Sequence, residues 1–275
     1  MSIISTIISA FTHKHVQANT YAPFVVYYNN EAAVADFAKY KLLILDSDTH
    51  PPLHPLADRD KVLLGYVSLG EVSKDRKYFG ELQKQNILLN ENKQWPGSYT
   101  VDIRNNYWPQ FVIESIIPNI IRSGFHGIFI DTLDNPADYE RKQPLKYGGM
   151  GQAAIQLVKS IRLHYPDLKI MLNRGYEILP YVVKDIDMVL GESVYADYNF
   201  ETKVSSLNTP ELYHQQLKIL QDAKFKNNNL GVYTLDYWDK NDAEGIKKIY
   251  QEQRDNGFVP YVSTISLNEI VAEPE

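Results

Sequence analysis

The fold class this sequence predicts is α/β, a single (β/α)8 TIM barrel, and three observations predict it. Eight short apolar runs alternate with segments of helical periodicity over nearly the whole chain, which is the pattern of parallel strands joined by crossover helices. Most of the runs end abruptly in an acidic or amide residue, and in a parallel barrel such ends converge on one face. No Gly-x-Gly-x-x-Gly loop follows the first run, which lowers the competing doubly wound dinucleotide-binding sheet.

Residues 1–22 stand apart from this alternation. Their Ile-rich, Ser-rich opening has part of the apolar core of a secretion signal but no basic leader, so they are expected to be a signal or an N-terminal tail, with the barrel spanning 23–275. Phe24 to Tyr28 is the first strand and Glu31 to Phe37 a short helical stretch. Leu42 to Asp46 is the second strand, followed by a loop through His50-Pro51-Pro52-Leu53-His54-Pro55, where consecutive prolines break regular structure. Val62 to Leu69 is the third strand.

Residues 72–100 read as a charged insertion with a turn at Trp95-Pro96-Gly97, and Val101-Asp102-Ile103 as a brief extra strand. From Tyr107 to Arg122 the apolar residues Trp108, Phe111, Val112, Ile116 and Ile120 recur at helical spacing, with Pro118 expected to kink or split the helix. Gly124 to Asp131 carries the fourth strand. A helix from Gln152 to Tyr165 precedes the fifth, Leu168 to Leu172. Met188 to Leu190 is the core of the sixth. A helix from Glu211 to Lys224 leads to the seventh, Leu230 to Leu235. A helix from Asp242 to Asp255 leads to the eighth, Phe258 to Val262.

Composition narrows the partners. The net charge of −6 does not suggest nucleic acid and tolerates a cationic ligand. No apolar run approaches the length of a membrane span. With no cysteine in the chain, disulfides, thiol catalysis and Cys-bound metals are excluded. No Gly-x-Ser-x-Gly elbow signals a serine nucleophile.

The strand ends supply candidate chemistry. Asp46, Asp131, Asn173, Glu192 and Asp236 end or follow strands two, four, five, six and seven. Two carboxylates on facing strands are the minimum equipment of a glycosidase, one to protonate the leaving oxygen and one to attack the anomeric carbon or activate water. Asp131 and Glu192 are that pair. Tyr66, Tyr195, Tyr237 and Trp238 lie at or near strand ends, and the Tyr237-Trp238 pair suits a cleft wall against the apolar face of a sugar. Asp134 is expected to cap the following helix or bond its loop. Two other readings fit the same residues. A carbohydrate-binding barrel without catalysis needs the aromatics but not the carboxylate pair. A metal-dependent hydrolase would use Asp46, Asp131 and Glu192 as oxygen ligands for Mg²⁺ or Ca²⁺; a metal is not expected, since the histidines show no ligand-like pairing.

Gly65-Tyr66-Val67-Ser68-Leu69-Gly70-Glu71, Val101-Asp102-Ile103, Gly124 to Asp134, and Leu190-Gly191-Glu192-Ser193 in this order resemble the endo-α-1,4-polygalactosaminidase family of glycoside hydrolases. The resemblance runs from about Phe24 to Val262 and implies a (β/α)8 barrel. It also implies endo-acting, retaining cleavage of α-1,4-linked, galactosamine-rich polysaccharide, with no metal or other cofactor. Some members of the family are domains of exopolysaccharide machinery. Asp131 matches the strand-four aspartate taken as nucleophile, and Glu192 the strand-six glutamate taken as acid/base. Asp46, Tyr66, Asp102, Asn173, Tyr195 and Asp236 would position sugar hydroxyls or ammonium groups. The substrate implied is a cationic amino-sugar polymer; the protein is expected to be secreted or at the cell envelope, with the cytoplasm as the alternative. His126 departs from the Gly-Phe-Asp-Gly segment common in the family, and residues 72–100 are less recognisable.

Overall fold

The computed structural model describes residues 23–57 and 61–275. The N-terminal segment expected to be a signal or tail lies outside the described residues. Eight strands make one sheet: β1 Phe24–Tyr27, β2 Leu42–Asp46, β3 Val62–Ser68, β4 Gly127–Asp131, β5 Lys169–Asn173, β6 Met188–Glu192, β7 Gly231–Tyr237 and β8 Val259–Ser263. They are hydrogen-bonded in sequence order, and every neighbouring pair is parallel. β1 lies beside β8, with Phe24 edge-on to Tyr261 at 5.7 Å, so the sheet curls round into the expected barrel.

The strands are apolar because both their faces are covered, the inner by the opposite wall and the outer by helices. Leu42 to Leu45 and Ile128 to Ile130 are all buried. The outer helices bury one stripe each. In Met150–His164 the stripe is Ala154, Leu157, Val158 and Ile161, and in Ala243–Asp255 it is Ile246, Ile249 and Tyr250.

Three departures from the sequence expectation matter for the site. The first is in residues 72–100, which are not merely a charged insertion. Glu71–Ser73, Leu88–Glu91 and Ser98–Val101 form a small antiparallel sheet, with a helix Phe79–Lys84 between its first two strands. This sheet stands on the end of β3. It takes in Val101 of the extra strand expected at 101–103.

The second concerns the helix before β4, which Pro118 neither stops nor splits. It continues from Tyr107 to Ser123 through one widened turn, Val112–Ile116. There the Ile117 N–H donates to the Val112 carbonyl, five residues back. The wide turn absorbs the donor that Pro118 lacks. Gly124 then ends the helix at φ 107°, a left-handed conformation that glycine adopts without strain.

The third is an unforeseen hairpin after β6, Ala196–Asn199 with Val204–Leu207. Like the small sheet after β3, it rises from the C-terminal end of the barrel, the face on which parallel barrels carry their sites. No helix among the described residues is long and apolar enough to cross a membrane.

Candidate active site

Five consecutive strands each deliver one polar side chain to a single cluster: Tyr66 from β3, Asp131 from β4, Asn173 from β5, Glu192 from β6 and Tyr237 from β7. The Asn173 amide is the centre. Its Nδ2 lies 2.9 Å from Asp131 Oδ1 and 2.6 Å from Glu192 Oε2. An atom facing two carboxylate oxygens at these distances must be the donor nitrogen, and its two hydrogens serve one carboxylate each. The two oxygens are therefore no further apart than these two hydrogen bonds laid end to end. Each carboxylate has a second, tyrosine donor. The Tyr66 hydroxyl donates to Asp131 Oδ2 at 2.9 Å, and the Tyr237 hydroxyl donates to Glu192 Oε1.

Burial holds both phenols well above their ordinary pKa, reinforced by the carboxylate that each one faces. They therefore remain protonated donors at any pH at which the protein works. The Glu192 carboxyl is also raised, first by burial and then by the negative charge of Asp131. Bonds from Asn173 and Tyr237 and the charge of Arg174 oppose the rise. Two carboxylates thus share one pocket, and one of them is pushed toward holding a proton.

The backbone repeats one device at this cluster. Thr132, Arg174 and Ser193, each immediately after a cluster residue, have φ of 64°, 49° and 55°. Left-handed conformations are costly for side chains of this kind, most of all β-branched threonine. They turn the chain away sharply at the end of β4, β5 and β6. At Thr132 the surroundings hold the turn in place. Its Oγ1 donates to the Asp131 carbonyl at 2.7 Å and accepts from the Gly70 and Glu71 N–H groups at 2.9 and 3.1 Å. Gly70 is needed there, because a Cβ would sit 2.1 Å from the Thr132 carbonyl oxygen.

The remaining expected site residues are engaged elsewhere. Asp46 ends β2 but is paired with Arg76 at 2.6 Å and accepts from the Asp48 and Thr49 N–H groups. It lies opposite Tyr66 in the neighbouring strand, and the guanidinium of its partner Arg76 lies 5.8 Å from the centre of the Tyr66 ring. Asp102 grips Arg104 with both oxygens, at 2.8 and 2.7 Å, and Arg104 in turn donates to the Lys146 and Gly148 carbonyls. The Tyr195 ring packs edge-on to Tyr213 at 4.9 Å. Trp238 donates to Asp242 at 2.9 Å, the residue that caps helix Ala243–Asp255. The expected Tyr237-Trp238 wall is therefore divided, with Tyr237 turned in to Glu192 and Trp238 turned out to a helix end.

Asp236 is fully buried. Its Oδ1 accepts from the Tyr195 and Ala196 N–H groups at 2.7 and 2.9 Å, and its Oδ2 from Gln253 Nε2 at 2.7 Å. It fixes the chain leaving β6 instead of facing the mouth. Burial raises its carboxyl to about 6, against those hydrogen bonds. A carboxyl raised on folding binds more protons in the folded state, so stability is lost as pH rises from about 4 to about 6, by roughly 3 kcal/mol. In Asp236→Asn that loss is expected to vanish. Urea unfolding of both proteins at pH 4 and pH 7 measures it, and an unchanged difference between the two pH values would refute it.

Several neighbours of the cluster were not among the expected site residues. Tyr28, just past β1, packs against Tyr66 with the rings tilted by 60° and their centres 5.0 Å apart. Arg174 follows Asn173 directly, a juxtaposition visible in the sequence. Asp134 occupies the N-cap position of helix Asn135–Lys142 but its side chain makes no cap bond; it faces Arg174 Nε at 3.9 Å. Glu71 is buried and accepts from Asn92 at 3.0 Å, Ser98 at 2.8 Å and Asn135 at 2.6 Å, tying the small sheet to the segment after β4. Among the described residues no group of three His, Asp or Glu side chains is placed to hold a metal ion. Of the three oxygen ligands named for the metal-dependent alternative, Asp46 is paired with Arg76.

Comparison with known proteins bears on the same region. The sequence profile of glycoside-hydrolase family GH114 matches residues 11–274. The fold is similar to the glycoside hydrolase domain of PelA from Pseudomonas aeruginosa, with a TM-score of 0.79 at 19% identity, covering 91% of this chain and 98% of that one. It is also similar to Aspergillus fumigatus Ega3, solved in complex with galactosamine, with a TM-score of 0.67 at 14% identity over 91% of this chain and 94% of that one. An uncharacterized protein of Thermotoga maritima is 27% identical over 258 residues, 87% of this chain and 77% of its own length.

Proposed function

Since the chain belongs to glycoside-hydrolase family GH114, and is a glycoside hydrolase of (β/α)8 fold, we propose that it cleaves α-1,4-linked, galactosamine-rich polysaccharide, endo-acting and with retention of configuration. The observation that carries this reading is the Asn173 bridge. One amide nitrogen serves Asp131 and Glu192 at once, so their nearest oxygens can be no further apart than roughly the 5–5.5 Å of a retaining pair, and short of the 6.5–9.5 Å that leaves room for an inverting water.

Asp131 is the nucleophile in this mechanism. Tyr66 and Asn173 donate to its two oxygens and hold it against rotation. Glu192 is the acid. In the first step it gives its proton to the departing glycosidic oxygen while Asp131 attacks the anomeric carbon, and a glycosyl ester forms on Asp131. The charge on Asp131 is then gone, and with it one of the two causes that raised the Glu192 carboxyl. Glu192 becomes a stronger acid and stays ionised, as a general base must be. It takes a proton from water, the resulting hydroxide opens the ester, and both carboxyls return to their starting states.

A cationic amino-sugar chain suits the acidic protein, whose net charge is −6, and the similar fold of Ega3 was solved with galactosamine. A polysaccharide of this kind meets the enzyme outside the cytoplasm, in secretion or at the cell envelope. The test is a panel of amino-sugar polymers with sizing of the products. Random shortening of α-1,4-galactosamine polymer is expected, and cleavage confined to another glycan would overturn the substrate. The pH profile tests Glu192 separately. Because its carboxyl is raised and must start protonated, kcat/KM is expected to fall as pH rises through a value above the ordinary glutamate range. A flat alkaline limb would remove Glu192 from the acid's role.

A further inference from the structure

The two loops that rise from β3 and β6 meet. Trp95, at the turn of the small sheet, lies edge-on to Phe200, at the turn of the hairpin after β6, with ring centres 5.5 Å apart. Phe200 is in turn braced perpendicular to Tyr198 at 5.3 Å. Both rings of the bridging pair stay wet: Trp95 is 50% exposed and Phe200 43%. A half-exposed aromatic ring keeps apolar area free that a ligand can cover.

The topology says what the contact encloses. β3 and β6 are separated in the sheet by β4 and β5, the strands that end in Asp131 and Asn173. The contact therefore completes a closed circuit of protein. It rises from β3 through Glu71–Ser73 and Ser98–Val101 to Trp95, crosses to Phe200, and returns through Ala196–Asn199 to Glu192. The floor of that circuit is the cluster of cleaving carboxylates. Its base is firmly tied, by Glu71 to Asn92, Ser98 and Asn135 on one side and by Asp236 to Tyr195 and Ala196 on the other. At its crest two aromatic rings touch.

We propose that Trp95 and Phe200 form a distal subsite for the polysaccharide chain, an aromatic clasp that lies over the cleft and holds sugar rings remote from the bond being cut. The inference rests on the glycosidase reading for its ligand class but uses none of the catalytic residues. The apolar C–H face of a sugar ring packs on the face of an aromatic ring, and each half-exposed ring offers such a face. An internal segment of a long polymer enters when the two loop tips part, and the clasp closes over it.

The test uses the full chain with Asp131→Asn, so that ligand binds without turnover, and titrates short and long α-1,4-galactosamine oligomers by calorimetry. Adding Trp95→Ala or Phe200→Ala is expected to weaken the long oligomers about tenfold and to erase most of their advantage over the short ones. Both residues sit at exposed loop turns, so the variants keep the fold. A second measurement exploits the absence of cysteine. The double variant Trp95→Cys, Phe200→Cys in the otherwise unchanged enzyme is joined by a short bis-maleimide and compared with the same protein capped singly. The joined form is expected to cleave long polymer at least tenfold more slowly than the capped form. Unaltered affinity for long oligomers in both alanine variants overturns the clasp, as does equal polymer cleavage by joined and capped protein. The two readings fail separately. Parent enzyme that cleaves while the alanine variants bind long oligomers normally loses the clasp alone. Binding that depends on length and on Trp95 in a parent that cleaves nothing loses the hydrolase reading alone. No binding at all removes both.

Discussion

Replacing Asp131 with Ala is expected to lower kcat by about 10⁴-fold or more, and replacing Glu192 with Ala by about 10²–10⁴-fold on polymer, with the fold intact in both. The two losses differ in kind, and azide separates them. With a galactosaminide carrying a good leaving group, the Glu192→Ala enzyme no longer needs an acid for the first step. The ester on Asp131 forms and waits for a nucleophile that needs no general base, and azide supplies one. Two displacements have then occurred, so the glycosyl azide keeps the α configuration of the substrate. In Asp131→Ala the azide takes the place of the missing carboxylate and attacks once, so the product is the β azide. Each assignment thus has its own stereochemical signature, read by proton NMR. Azide products of the same configuration from both variants would sink the division of roles, and full activity in either variant would sink the pair. Asp131→Asn adds a physical check without turnover. Removing the charge beside Glu192 removes one cause of its raised carboxyl, so the Glu192 pKa is expected to fall, measurable by carbon-13 NMR of the side-chain carboxyl.

The barrel was legible because its signals are local. An apolar run cut off by a carboxylate locates Leu42–Asp46 residue for residue, since strand interior and strand end differ in solvation. β7 extends past its apolar run through two polar residues. Asp236 and Tyr237 are polar, yet both lie buried inside the strand, Asp236 supported by donors from a loop 40 residues away. One rule available from sequence separates them. Successive strand residues point to opposite faces, so Asp236 and Tyr237 cannot both look into the mouth. Leu235 lies opposite Glu192 in the neighbouring strand, and Tyr237, on the same side as Leu235, is the one that reaches Glu192. Asp46 and Asp102 differ from the cluster residues in another way. Each carboxylate sits where a site residue would, but an arginine neutralises it, Arg76 from 30 residues away and Arg104 from two. Such pairing is a property of the folded chain, and only the second pair was close enough in sequence to be suspected. The small sheet and the hairpin carry little apolar signal because their strands are short and half-exposed, and it is those two whose tips meet at Trp95 and Phe200.

Asn173 shows how strongly the cluster depends on a group with no acid–base chemistry of its own. Replacing it with Asp changes no shape and turns the bridging donor into an acceptor. Three carboxylates would then meet where the amide now lies 2.9 and 2.6 Å from two of them. Like charges at such distances cannot all ionise, so a proton must be held among them. A protonated carboxyl can donate only one bond, leaving either Asp131 or Glu192 without its partner. If the extra proton settles on Asp131, the nucleophile is lost. If it settles on the new carboxyl, Asp131 or Glu192 is free to swing. Either way kcat is expected to drop by roughly 10³-fold near neutral pH, the upper end of what losing one preorganised donor costs, with part of it regained on acidification as the new carboxyl protonates. Asn173→Ala removes the donor without adding charge. Its loss is expected to be about 10²-fold and to show no recovery at low pH. The contrast between the two pH profiles carries the argument, because a residue that merely filled space would give the larger loss in the alanine variant. An Asn173→Asp enzyme as active as the parent would mean that the two carboxylates do not depend on the bridge, and the retaining geometry inferred from it would fall as well.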